Sequence, residues 1–304
     1  MAKVVRYLNI QQKEFCKTLT GLCERKPSWQ VWTDFLECSA ISIANCTDQS
    51  GEIHDKREQQ YLRILHGYPE KERYGLASLM GYVIDALEEN PEQDFLGDMY
   101  MALELNSHWH GQFFTPYHVS QLLAKVSISK GDETLRRRGW ICVNDPACGA
   151  GSLLIAARNA CLSEGIGYRQ VLYTAQDVDR IVALMCYIQL SLLGCAGYVV
   201  VGDSLLHPLT TMGNTLIPIP SEHHEIWYTP LYCDEVWQGR IRWAMLDQIL
   251  QGTCSRQVPA NNSVRLVTAQ PTKRIKSEPE PTPENLIEQQ SELLADQSGQ
   301  LRIF

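Results

Sequence analysis

A glycine-rich stretch followed by two aspartates contains the residues best suited to chemistry in this sequence. Residues 144–152 read Asn-Asp-Pro-Ala-Cys-Gly-Ala-Gly-Ser, after an apolar run and before a helix-forming one. Gly149 and Gly151 let the backbone approach a ligand closely, and the helix start offers free N–H groups to a carboxylate or phosphate. Asp177 and Asp203 follow the next two apolar runs. Acidic side chains there suit hydrogen bonds to ribose hydroxyls and to an adenine amino group, so the pattern predicts a nucleoside-binding site.

Alternating strands and helices are predicted to position these residues. The predicted strands are residues 141–143, 171–175, 198–201 and 226–228, and the predicted helices between them are residues 152–161 and 181–193. Strands interleaved with helices imply a parallel sheet in an α/β fold, because parallel neighbours need crossover connections. Ligands of such sheets bind beyond the carboxyl ends of the strands.

Composition divides the chain into three regions. Residues 1–108 carry apolar side chains at helical spacing without a phosphate-binding loop, which predicts a helical N-terminal region. Residues 109–254 contain the alternating pattern. Residues 255–304 are dominated by Gln, Ser, Pro, Glu and Asn, and we expect a disordered tail there because so little apolar area cannot offset the entropy of ordering.

Charge and cysteine content limit the class of protein. The 27 Lys and Arg residues against 35 Asp and Glu residues give a formal net charge of −8. Proteins that coat duplex DNA usually need a basic surplus, so any nucleic-acid contact must use a local patch, such as the three arginines at 136–138. No C-x-x-C pair occurs among the 11 cysteines, and no ligand cluster accompanies His108 and His110. We therefore expect a reduced, cytoplasmic protein without a metal site.

One uncharged run, residues 181–201, is about as long as a membrane span. Gly194 and Gly197 divide it, and it ends in a β-branched stretch typical of a buried parallel strand. We interpret it as a buried helix, a turn and a central strand, and expect no membrane association.

Two motifs in order resemble those of the N6-adenine DNA methyltransferases, particularly the modification subunit of type I restriction systems. In that family a Gly-Gln-Phe-Phe-Thr-Pro element precedes an Asp-Pro-x-x-Gly-x-Gly loop, and here residues 111–116 and 145–151 carry both. The resemblance implies a Rossmann-like, S-adenosylmethionine-dependent methyltransferase sheet, truncated in this chain. It also implies DNA as the partner and methyl transfer to an adenine flipped out of the helix.

The resemblance implies roles for individual residues as well. Those that would bind the methionine portion of the cofactor are Phe114, Thr115, Pro116, Asp145, Ala147, Gly149 and Gly151. Asp177 would hold the ribose hydroxyls, with Asp179 as a substitute. Asp203 would bind the adenine N6 amino group, and Leu205 would pack on the adenine ring.

The catalytic motif departs from the family pattern. The family carries Asn-Pro-Pro followed by Tyr or Phe at the end of the fourth strand, where the Asn oxygen accepts a hydrogen bond from the adenine amine and the ring stacks on the base. The corresponding residues 229–232 read Thr-Pro-Leu-Tyr. The predicted catalytic residues are therefore Thr229, Pro230 and Tyr232. Thr229 would offer a hydroxyl on a shorter side chain in place of the Asn amide.

Two main hypotheses follow, with methylation of RNA or protein as a weaker third. The first is an adenine-specific DNA methyltransferase that needs a partner, such as a specificity subunit, because few residues separate Tyr232 from the tail. Residues Trp237, Arg240 and Trp243 lie at helical spacing and could stack on a base or phosphate, or cap the truncated sheet. The second is a catalytically silent S-adenosylmethionine-binding adaptor. It would be tethered to the bacterial sliding clamp by a peptide resembling Gln-Leu-x-Leu-Phe, formed by Gln300, Leu301, Ile303 and Phe304.

Overall fold

Helices occupy the N-terminal part of the chain. The computed structural model describes residues 9–49, 51–105, 114–128, 133–254 and 300–302. The helices of the first two ranges are α1 (Ile10–Leu22), α2 (Ser28–Thr47), α3 (Glu52–His66), α4 (Glu70–Glu89) and α5 (Phe95–Ala102). Their buried side chains share one hydrophobic core with the sheet that follows, and the predicted helical character of this region is confirmed.

The rest of the described chain builds a mixed α/β layer. In chain order its elements are α6 (Tyr117–Ser127), α7 (Glu133–Arg138), β1 (Ile141–Asp145), α8 (Ser152–Ser163), β2 (Val171–Asp177), α9 (Arg180–Leu192), β3 (Ala196–Val201), β4 (Thr211–Met212), β5 (Ile217–Pro218), β6 (Glu225–Tyr228), α10 (Glu235–Cys254) and β7 (Gln300–Arg302). The main sheet has the strand order β6-β3-β2-β1-β7, and β4 and β5 form a separate hairpin. The predicted α/β class is confirmed.

The direction of one strand differs from the prediction. Strands β1, β2 and β3 are parallel, as expected, whereas β6 pairs antiparallel with β3. Residues 202–224, which the structure describes throughout, contain the β4–β5 hairpin but no helix. Without a crossover helix the chain re-enters the sheet in the opposite direction, so the expectation of a parallel fourth strand is wrong.

A short strand near the C-terminus forms the edge of the main sheet opposite to β6. Strand β7 pairs parallel with β1, with Cys142 opposite Gln300 and Asn144 opposite Arg302. Residues 255–299, Ile303 and Phe304 lie outside the described residues. The disorder predicted for the tail therefore stays a prediction.

The sheet separates two apolar layers. The N-terminal helices, α8 and α9 cover the side that carries Val143 and Val199, which we name the helical face. The hairpin and α10 cover the side that carries Cys142, Leu172 and Tyr198, which we name the hairpin face. Because side chains alternate along a strand, consecutive residues of β1 and β2 point to opposite faces.

Two of the three residues considered for base stacking cap the sheet. Trp237 is fully buried, with its ring centroid 5.8 Å from that of Trp140. The guanidinium of Arg240 lies 4.3 Å from the Trp237 ring centroid. Trp243 remains 75% exposed. The capping interpretation therefore holds for Trp237 and Arg240.

In the described ranges, none of the helices is both long and apolar enough to cross a bilayer. The uncharged run of residues 181–201 forms α9, a turn and β3, as predicted. Helix α9 is apolar on nearly every side because it lies between the sheet and the N-terminal helices.

A single buried amide in α9 connects three segments. Gln189 is 0% exposed. Its Nε2 donates to Asp94 Oδ1 at 2.8 Å and to the carbonyl of Ala150 at 2.9 Å, and its Oε1 accepts from the Leu96 N–H at 3.1 Å. The amide therefore ties the start of α5 and the loop after β1 to α9.

Replacing this amide tests its structural importance. We expect Gln189→Leu, which keeps helix propensity, to lower the free energy of unfolding by about 3–5 kcal/mol, because it leaves three buried polar groups without their partner. Chemical denaturation measures the loss. Gln11→Leu, which removes a surface amide bonded to Glu89, is the control and should change stability by less than about 0.5 kcal/mol. Equal stability of the two variants would contradict this account.

Candidate functional site

Two glycines in the left-handed backbone region shape the loop between β1 and α8. Gly149 has a φ of +52° and Gly151 a φ of +97°, values that other residues rarely adopt. A Cβ on Gly149 would lie 3.2 Å from the Phe114 ring, and one on Gly151 would lie 2.9 Å from Cys186 Sγ. Both positions therefore require glycine, the first for contact with Phe114 and the second for packing of α8 on α9.

The carboxylate of Asp177 joins this loop to the end of β2. Its Oδ2 accepts a hydrogen bond from the Gly149 N–H, and its Oδ1 accepts one from the Asp179 N–H, both at 2.9 Å. Burial raises the pKa of Asp177, and the backbone hydrogen bonds oppose that rise. The side chain of Asp179 accepts from the Ile181 N–H at 2.8 Å and so caps α9, which gives it a structural role.

Asp145 is a buried carboxylate that is only half paired. It is 3% exposed, and its Oδ1 accepts from the Ala147 N–H at 3.1 Å. Its Oδ2 is buried without a hydrogen-bond partner in the described part of the chain. Burial raises the pKa of Asp145 to about 6, opposed by the Ala147 N–H and assisted by the charge of Asp177. A cation beside Asp145 would compensate for hydration that the carboxylate loses on folding.

A cavity of about 200 Å³ opens beside the glycine loop. Its walls come from four segments that are distant in sequence, one of which is the start of α5. They include Phe114 and Thr115 from the segment before α6, Ala147 and Gly149 from the loop, and Asp177 from β2. The structure therefore brings five of the predicted cofactor residues around one space.

Other predicted residues lie next to this cavity without lining it. Pro116 directly precedes α6, and Gly151 occupies the N-cap of α8. The Phe114 ring packs on Tyr100, with 5.5 Å between centroids, which holds it over the loop. Residues 111–113 of the predicted Gly-Gln-Phe-Phe-Thr-Pro element lie outside the described residues.

Asp203 lies at the same sheet edge, but part of its carboxylate supports a turn. The Gly202 N–H donates to the carbonyl of Asp177 at 2.9 Å, which places the two strand ends side by side. Oδ1 of Asp203 accepts from the N–H groups of Leu205 and Leu206, and these bonds lower its pKa. Leu205 is 91% exposed and borders a second cavity instead.

The predicted catalytic residue Thr229 lies at the end of the sheet opposite to the carboxyl ends of β1, β2 and β3. Because β6 is antiparallel to β3, Thr229 follows β6 at the amino end of β3. It is 1% exposed, its hydroxyl donates to the Cys195 carbonyl at 2.7 Å, and it accepts from the Gly197 N–H at 2.9 Å. These bonds give Thr229 a structural role away from the glycine loop, and its assignment to the catalytic position stays a prediction that its location does not support.

The two companions of Thr229 are structural too. Pro230 begins the 3₁₀ turn Pro230–Cys233. Tyr232 is 5% exposed, its hydroxyl donates to the Leu216 carbonyl at 2.7 Å, and its ring packs edge-on to Tyr198. Neither residue reaches the carboxyl edge, so the base-stacking role predicted for Tyr232 is not supported by its position.

Sequence reasoning missed two residues that support the loop. Asp94, which is 3% exposed, lines the cavity and accepts hydrogen bonds from Gly97 and Gln189. Burial raises the pKa of Asp94, while its hydrogen bonds from Gln189 and Gly97 oppose the rise. A glutamine in the middle of an otherwise apolar helix is the one signal that the sequence offers. The sequence offers no such signal for Asp94, because an aspartate just before a helix is an ordinary N-cap.

Among the described residues no cluster of three or more His, Cys, Asp or Glu side chains could hold a metal ion. His108 and His110 lie outside those residues.

Solved structures of two methyltransferases are similar to this chain. One is a protein from Listeria monocytogenes assigned to the class I S-adenosylmethionine-dependent methyltransferases, with 15% identity over 67% of this chain and 57% of that one, and a TM-score of 0.38. The other is the methyltransferase subunit of a type I restriction-modification system from Streptococcus thermophilus, with 13% identity over 65% and 58% of the two chains and a TM-score of 0.36. The chain thus spans less than three fifths of the length of either.

Sequence comparison gives the family. No curated protein sequence matches the chain. The sequence model of the N-6 DNA methylase family matches residues 91–243, just over half of the chain. This range contains the glycine loop, Asp177 and Asp203, and the chain belongs to the N-6 DNA methylase family.

Proposed function

We propose that the protein binds S-adenosylmethionine beside the glycine loop and transfers its methyl group to the N6 amine of adenine in DNA. The observation that carries this proposal is the meeting of Phe114, Gly149 and Asp177 around one cavity. Membership of the N-6 DNA methylase family supports the reaction class.

The carboxylates at the cavity and at the end of β1 fit this cofactor. Asp145 has a buried oxygen without a partner in the part of the chain that the structure describes, and burial raises the pKa of both Asp145 and Asp177. The cofactor carries an ammonium and a sulfonium group, either of which would offset the buried negative charge. Gly149 leaves the space that a Cβ would fill next to Phe114. When bound, the cofactor supplies an electrophilic methyl group.

Individual roles follow from these positions. In our proposal Asp145 faces the cofactor ammonium, and Asp177 holds the ribose hydroxyls of the cofactor. The second carboxylate oxygen of Asp203 accepts a hydrogen bond from the amino group of the cofactor's adenine. Phe114 and Thr115 exclude water from the methionine end.

We further propose that a partner such as a specificity subunit helps to bind DNA. The net charge of −8 opposes tight binding of the chain alone to a polyanion. The cytoplasmic location stays a prediction from the reduced cysteines.

The position of Thr229 favours a second candidate, the S-adenosylmethionine-binding adaptor. Thr229 stands where the family has its catalytic Asn, and it does not reach the carboxyl ends of the strands, where the proposed cofactor site lies. Docking on the sliding clamp also stays a prediction. The pairing of Gln300–Arg302 with β1 would have to open before those residues entered another groove.

Methyl transfer separates the two candidates. We expect radiolabelled methyl groups to pass from S-adenosylmethionine to mixed-sequence DNA in the presence of cell extract, and long-read sequencing of cellular DNA to show N6-methyladenine only when the protein is expressed. Cofactor binding without any transfer would instead support the adaptor.

The assigned pocket can be tested by binding alone. We expect Asp177→Asn to weaken S-adenosylmethionine binding at least about tenfold, because hydrogen bonds to a charged group contribute about 1.5–3 kcal/mol. Isothermal titration measures the affinity. Asp55→Asn, on the exposed surface of α3, is the control and should bind as the unmodified protein does. Unchanged affinity in Asp177→Asn would contradict the pocket.

Asp145 should couple binding to pH and oppose stability. Burial raises its folded-state pKa above the ordinary value, so Asp145 is protonated and costs little stability at low pH. The free energy of unfolding falls as the pH rises through about 6 and the buried group ionises. We expect Asp145→Asn to raise the free energy of unfolding at pH 7 by about 1–2 kcal/mol and to weaken cofactor binding.

Denaturation and titration between pH 5 and pH 7.5 check both effects, at about one measurement per half unit across the raised pKa. In the unmodified protein, cofactor affinity should rise with pH through this range, because a cation favours the ionised Asp145. For comparison, Asp203→Asn should not raise stability, since hydrogen bonds lower the pKa of that carboxyl. A destabilised Asp145→Asn variant would be inconsistent with an uncompensated carboxylate.

A further inference from the structure

The hairpin face of the sheet changes character along its length. At its amino half it presents the apolar Cys142, Leu172 and Tyr198. At its carboxyl half it presents Asn144, Thr174 and Gln176 to a cavity of about 400 Å³. Polar side chains on a covered sheet face are unusual unless water or a ligand pairs with them, so this cavity has the character of a binding site.

The polar groups form an aligned row with free hydrogen-bonding capacity. Asn144 lies opposite Thr174 in the register of β1 and β2, and its Oδ1 accepts from the Thr174 hydroxyl at 2.8 Å. This bond leaves the amide NH₂ of Asn144 as a donor, and the structure gives it no partner within the described ranges. Asn144 therefore offers hydrogen-bond donors to the cavity.

Gln176 offers the complementary group. Its Nε2 lies 3.4 Å from the carbonyl of His207, which already has a closer contact with His224 Nε2 at 2.7 Å. The Oε1 of Gln176 accepts no hydrogen bond from any residue that the structure describes, and the side chain is 7% exposed. The cavity thus presents one amide donor and one amide acceptor from neighbouring strands.

The rest of the cavity suits a flat heterocycle. Its apolar walls are formed by Pro146, Leu205, Pro208 and Leu209, and Tyr198 lies at its base. A purine base has two flat faces for such walls and a donor–acceptor edge for the amides. Asn and Gln are the side chains that pair with the N6 and N7 of adenine.

The cavity is adjacent to the cofactor site. Asn144 and Asp145 are consecutive and face opposite sides of the sheet, and Pro146 borders this cavity whereas Ala147 borders the other. The two spaces therefore flank one strand end, so that ligands bound in them would be neighbours.

We propose that this cavity is the acceptor subsite and takes an adenine base, with the Gln176 oxygen accepting from the exocyclic amine and the Asn144 amide donating to a ring nitrogen. This inference rests on the proposed function. It supplies the amine-accepting group that the position of Thr229 does not provide.

Binding of an unpaired adenine tests the proposal. The probe is an oligothymidylate with one central adenine, compared with the all-thymine strand, on protein saturated with S-adenosylhomocysteine; a single strand avoids the cost of base flipping. We expect about tenfold or greater preference for the adenine strand. Asn144→Leu and Gln176→Met should abolish this preference and keep the affinity for S-adenosylhomocysteine.

Two controls separate site loss from misfolding. Gln11→Met removes an amide on α1 and should keep the preference. Pro208→Trp narrows the exposed rim with both amides intact and should reduce it, with an unchanged melting temperature.

The possible results of these titrations distinguish failure of the adenine cavity from failure of the cofactor site. No preference in the unmodified protein, or a preference kept in both amide variants, overturns the proposal. Weaker S-adenosylhomocysteine binding in those variants also overturns it, because the cavity would then serve the cofactor. If the unmodified protein does not bind S-adenosylhomocysteine, the proposed function fails, and the same titration without cofactor decides the adenine cavity separately.

Discussion

The buried amide of Gln189 is the constraint on which the site depends. A side chain with no access to water has to satisfy its donors and its acceptor inside the protein, and the groups that pair with Gln189 belong to other segments. Those groups are Asp94, Leu96 and Ala150. The glycine loop, the first turn of α5 and the middle of α9 are consequently held in one arrangement.

This arrangement explains how the helical region contributes to a site that the sheet carries. Asp94 belongs to the N-terminal helices yet lines the cavity beside Gly149. Phe114 is held over the loop by Tyr100 of α5. The helical region therefore shapes the proposed cofactor site directly as well as covering one face of the sheet.

Negative charge is concentrated at the carboxyl edge at a cost to stability. Asp145 is almost wholly buried, and one of its oxygens has no hydrogen-bond partner among the described residues. Burial raises the pKa of Asp94, Asp145 and Asp177. Groups of this kind are retained where a ligand of opposite charge compensates for them. The hairpin face shows a parallel case with neutral amides, since Asn144 and Gln176 each keep a hydrogen-bonding group that has no partner among the described residues.

The sequence by itself determined the local features of this protein. The glycine loop, the order of strands and helices from β1 to β3, and the acidic residues at strand ends were predictable, because turn chemistry and hydrophobic periodicity are read from neighbouring residues. Only the tertiary structure decided the direction of β6, which depends on the path of residues 202–224 and moves Thr229 to the far edge. It also decided the partners of Gln189 and the cavity at Asn144 and Gln176, because these contacts join residues that are distant in the chain and become neighbours only when the sheet assembles.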